Sequence, residues 1–104
     1  MRVLLDECVP RKLRGELPGH DVKTVAEMRW AGTKNGALLR RAALAFEVLL
    51  TVDQGIPAQQ NLADLALALV IIKAPSNDIN DLRPKMPEVR RVLTTIQPGQ
   101  VVLC

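Results

Sequence analysis

Asp6-Glu7, Glu27 and Asp53-Gln54 each stand directly after, or one residue beyond, an apolar or alternating stretch of the chain, and Ser76-Asn77-Asp78 follow the longest such stretch a few residues later. If those stretches are parallel strands, their ends lie on one side of a sheet, where open α/β folds place their ligand sites. Several carboxylates on one rim repel one another unless a positive charge sits among them. Oxygen donors without His or Cys favour a hard cation, so magnesium or manganese is the expected occupant. A metal-bound water attacking a phosphodiester is the chemistry such a rim suggests, with Asp6, Glu7 and Asp53 as catalytic residues and metal ligands.

The same residue types also serve as helix caps and turn formers. For Asp6 and Asp53 the site reading leads, because two independent strands deliver a carboxylate to one rim. Glu7 is either a third ligand or a favourable charge at the positive end of the next helix. Glu27 reads as structural, and Ser76 or Asn77 as the cap of a later helix. His20, with no His or Cys nearby, reads as a turn or edge residue. Trp30 either marks a partner surface or lids the core. Cys8 has no triad partner beside it, and Cys8 and Cys104 form neither a CxxC pair nor a disulfide framework, so both are expected to be free thiols.

The elements that must position these residues follow from hydrophobic patterning. Residues 2–5 form a short apolar run, and Pro10 opens an amphipathic helix through Leu13 and Leu17 that Pro18-Gly19 closes. Asp21 to Val25 alternates as a second strand. A loop over residues 31–36 leads into helical spacing at Leu38, Leu39, Ala42, Ala43 and Phe46, then a strand over residues 48–52. After a short helical candidate over residues 59–63, Ala68-Leu69-Val70-Ile71-Ile72 reads as a strand buried on both faces. Pro84 and Pro87 make the last helix irregular up to the Val89, Val92, Leu93, Ile96 stripe, and Pro98-Gly99 sets off a final strand at residues 101–103, at either edge. This alternation predicts a single α/β domain over residues 1–104, a three-layer α/β/α sandwich with a mainly parallel sheet and right-handed crossovers.

Composition narrows the class. Of the aromatic residues only Trp30 and Phe46 are present, so the core must be aliphatic, and recognition of single-stranded RNA by base stacking is a poor fit. No apolar run reaches the roughly 18 to 20 residues of a membrane span, and the start of the chain lacks a signal-peptide layout, so a soluble cytoplasmic protein without membrane partners is expected. The net charge of +3 suits a polyanionic partner bound through phosphates. Its clusters, at residues 11–14, at Arg40-Arg41 and across residues 83–91, also read as ordinary solvated helix faces.

LLDECVP at the start, GHDV at residues 19–22, ALLRRAA in the middle helix and TVDQ at residues 51–54, in this order and spacing, resemble the PIN-like proteins associated with toxin-antitoxin systems. The resemblance covers nearly the whole chain. It implies a PIN-type sandwich and a magnesium- or manganese-dependent endoribonuclease, toxin-like, whose acidic rim matches Asp6, Glu7 and Asp53. RNA and an antitoxin or other protein are the implied partners, and an apolar edge strand would suit a homodimer. Two positions depart from the pattern, since Asn35 and Gly55 stand where many relatives have aspartate. Losing two charges weakens cation binding. The expectation then divides between an altered site with Asn35, Gln54 or Gln60 as polar contacts and, as the alternative, a catalytically degenerate module that binds a protein or nucleic acid without cleavage.

Overall fold

A computed structural model of the chain describes residues 1–56 and 64–104. The helical candidate over residues 59–63, with Gln60, lies outside the described residues. Five strands form one parallel sheet: β1 (Arg2–Leu5), β2 (Asp21–Thr24), β3 (Val48–Thr51), β4 (Ala68–Ile71) and β5 (Val101–Leu103), in the order β2-β1-β3-β4-β5. Among the described residues the helices are α1 (Asn35–Ala45), α2 (Ile79–Leu82) and α3 (Met86–Leu93). A 3-10 helix spans Arg11–Glu16, and a 3-10 turn at Arg83–Lys85 joins α2 to α3.

Side-chain alternation divides the core into two layers. Val3, Leu5, Val48, Leu50 and Val70 face the 3-10 helix (Leu13) and α2–α3 (Leu82, Met86, Val89, Leu93). Leu4, Leu49, Leu69 and Ile71 face α1 through Leu38, Leu39 and Ala42. The central strands β3 and β4 are buried at every residue, as near-continuous apolar runs in a parallel sheet require.

The helix expected after Pro10 is present as a 3-10 helix over Arg11–Glu16, and two other expectations are corrected. Pro10 makes no side-chain cap, Gly15 lies within the segment, and Leu13 is its one buried residue, so little favours a longer regular helix. The cap of α2 is Asp78, which accepts from the Asn80 N–H at 2.8 Å, rather than Ser76 or Asn77. The crossovers are not all of one hand. The β2–β3 and β4–β5 connections step across the sheet in the same direction but run on opposite faces, so their hands are opposite. The hand preference belongs to tight strand-helix-strand units. The β4–β5 connection, residues 72–100, is long, is broken at Pro84 and Pro87, and ends on a three-residue edge strand. Its consequence is that α2, α3 and the 3-10 helix share one face.

Candidate functional site

The carboxyl ends of β1 and β3 meet at the point where the chain departs to opposite sides of β1, and their register brings Asp6 beside Thr51. Leu5 pairs with Leu50, and the Asp6 N–H donates to the Leu50 carbonyl at 3.0 Å. Thr51 is fully buried and its hydroxyl donates to Asp6 Oδ2 at 2.8 Å. The same hydroxyl oxygen accepts the Asp53 N–H at 3.0 Å. Cys8 Sγ lies 3.8 Å from Asp6 Oδ2 and 3.6 Å from Thr51 Oγ1, within reach of weak sulfur hydrogen bonds. Asp6 Oδ1 accepts the Glu7 N–H at 2.8 Å. One half-buried carboxylate thus ties the end of β3 to the loop after β1.

Glu7 and Asp53 point elsewhere. Glu7 Oε1 accepts the Gly32 N–H at 2.7 Å, and Gly32 holds a φ of 80°, a left-handed conformation that glycine takes without steric cost. This bond fastens the β1 loop to the β2–α1 loop. Asp53 Oδ1 folds back on the Gly55 N–H at 2.9 Å, an Asx-type turn after β3. Glu27 is structural, as its sequence context indicates. It accepts from the Thr24 N–H at 2.9 Å while Thr24 Oγ1 accepts the Glu27 N–H at 3.0 Å, a reciprocal capping box, and it also pairs with Arg14.

The remaining candidates are spread along the rim. Asn35 is the half-buried first residue of α1, Gln54 is exposed in the turn after β3, and Asn77 Nδ2 donates to the Cys8 carbonyl at 3.0 Å, joining the β4 end to the β1 loop. Ser76 bonds Asp81 at 2.6 Å and accepts the Asp78 N–H at 3.0 Å. Trp30 lids the core, packing edge to face on Phe46 with centroids 6.1 Å apart. His20 sits before β2 with its Nδ1 buried and unpartnered among the described residues. Both cysteines are free; Cys104 is buried, and that burial, assisted by Glu88 against Lys85 and Arg91, pushes its thiol up.

A cleft of about 650 Å³ opens beside this network, between the loops that follow β1 and β2. Asp6, Glu7, Glu27 and Arg11 line it together with the apolar Val9, Pro10 and Val25. Asp53 is not among its lining residues. Among the described residues no group of three or more His, Cys, Asp or Glu side chains is placed to hold one metal ion. Asp6, Glu7 and Asp53 each accept a backbone N–H through one carboxylate oxygen, from Glu7, Gly32 and Gly55 respectively.

Thr51 is the residue of this network that patterning missed. A threonine inside a β-branched run reads as strand, and only the β1–β3 register reveals its position beside Asp6. No family model, no curated protein and no solved structure matches the chain.

Proposed function

We propose that the chain is a PIN-like module that binds a protein or nucleic-acid partner without cleaving it. The observation that carries this reading is the use of the three rim carboxylates. Asp6, Glu7 and Asp53 hold the Glu7, Gly32 and Gly55 N–H groups at 2.8, 2.7 and 2.9 Å, so each carboxylate shapes a rim loop, and the Glu7 bond ties the loops after β1 and β2 together beside the cleft. Asn35 and Gly55 add no charge where a cation site would need it. A rim built this way presents a preorganised surface, which lowers the entropic cost of binding.

A second reading, a toxin-like endoribonuclease using magnesium or manganese, is favoured by position: Asp6 and Asp53 follow the adjacent strands β1 and β3, and the Asp53 backbone N–H and the Asp6 carboxylate share the Thr51 hydroxyl. The two readings divide on one assay. A mixed RNA substrate is incubated with either metal and wild-type protein or an Asp6→Asn, Asp53→Asn double variant purified identically. The module reading expects no cleavage beyond that of the double variant. Cleavage by wild type alone, abolished by EDTA, would overturn it in favour of the nuclease.

A further inference from the structure

The outer face of the layer formed by the 3-10 helix, α2 and α3 carries basic clusters that are far apart in sequence. Residues 11–14 supply Arg11, Lys12 and Arg14, while Arg83, Lys85, Arg90 and Arg91 come from the β4–β5 connection. They share a face only because that connection runs on the same side of the sheet as the 3-10 helix. Had it crossed with the hand of the β2–β3 connection, the two groups would lie on opposite faces.

Glu16 joins the two segments. Its carboxylate lies 3.5 Å from Arg90 Nη1 and 3.9 Å from Arg83 Nε, and its carbonyl accepts from Arg90 Nη1 at 3.0 Å. One acid thus holds two guanidinium groups together and partly neutralises them. Arg11, Lys12 and Arg91 are exposed and, with the half-buried Lys85, form no ion pair among the described residues. The acids of α2 are engaged locally, Asp78 as a cap and Asp81 with Ser76. Glu88 is the one acid in α3.

We infer that this face is a docking surface for the phosphate backbone of a nucleic acid, with Glu16 restraining its affinity. Charge complementarity selects the partner: the seven cations of residues 11–14 and 83–91 outnumber Glu16, Asp78, Asp81 and Glu88 on the same elements, even with Arg14 paired to Glu27, and such an excess gains counterion-release energy from a polyphosphate. Recognition is through the backbone, because Trp30 and Phe46 are packed on each other in the other core layer and offer this face no stacking platform. The inference names a partner class and a surface for the binding module, and rests on that reading for its biological sense.

The test is fluorescence anisotropy with a labelled oligouridylate and an oligothymidylate of equal length, titrated across salt, with the probe examined for breakage afterwards. Wild type should bind both, with affinity falling steeply as salt rises. Replacing Lys12, Lys85 and Arg91 by Ala, none of which lines the cleft, should reduce the log–log salt slope by about 0.7 for each phosphate of a single strand that is no longer neutralised. Glu16→Gln should tighten binding several-fold at low salt, whereas Glu47→Gln, an equal charge change beside Arg2, should not. That gain cannot arise from misfolding. Absence of binding at low salt, an unchanged slope in the triple variant, or equal effects of Glu16→Gln and Glu47→Gln would each overturn the inference. A broken probe would instead overturn the non-cleaving reading while leaving the slope and variant results to judge this face.

Discussion

Thr51 has a fully buried side chain, yet its hydroxyl both donates to Asp6 and accepts from Asp53. Thr51→Val keeps the shape and removes both bonds, leaving the Asp53 N–H and one Asp6 oxygen short of a partner. Such losses cost about 1–3 kcal/mol. Asp6→Asn weakens the same network by replacing a charged acceptor with a neutral one. Because both variants act on one shared bond, which Asp6→Asn weakens and Thr51→Val removes, the double variant should be less destabilised than the sum of the singles, by about 0.5 kcal/mol or more, in urea unfolding. Strict additivity would show that Asp6 and Thr51 do not act as a unit. At this scale, Asp6 and Asp53 were legible in sequence because each follows an apolar run. Their partners were not, since which N–H a carboxylate accepts depends on loop conformations such as the left-handed Gly32.

Among the elements, the start of α2 shows where patterning stops being informative. Ser76-Asn77-Asp78 offers three cap-forming residues in a row, and nothing in their types ranks them. The backbone decides: Asp78 is extended, with ψ 139°, and its side chain reaches the Asn80 N–H. Ser76 supports it by accepting the Asp78 N–H and bonding Asp81. Asp78→Ala should therefore destabilise the protein by about 1 kcal/mol, read as a lowered thermal midpoint. Asn77→Ala, which loses only a bond to the Cys8 carbonyl, should cost less. Equal losses would mean that the cap is not what anchors α2. The strands and α1 were legible because burial imposes their periodicity. The 3-10 form of residues 11–16 and the hand of the last crossover depend on tertiary packing and left no local pattern to read.

For the molecule as a whole, strand–helix alternation was enough to indicate a parallel α/β sheet, and the burial of its strands now predicts where stability lies. Residues of β3 and β4 are buried without exception, whereas β2 alternates exposed and buried positions, and β5 has Val101 and Leu103 at 42% and 52% exposure. β3 is paired on both sides and packed between two core layers, so opening it requires disrupting both. β5 has one neighbour, three residues and little apolar area to lose. Native-state hydrogen exchange should therefore show the Leu49 and Leu50 amides exchanging only through global unfolding, with β5 and β2 opening at lower free energy. The rim is predicted to follow the centre rather than the edges, because Asp6 donates its N–H to Leu50 and is bonded through its side chain to Thr51. Fast exchange at the Asp6 amide, with slow exchange at Leu49, would show the rim to be uncoupled from the strands that carry it, and would remove the basis for treating its loops as a preorganised binding surface.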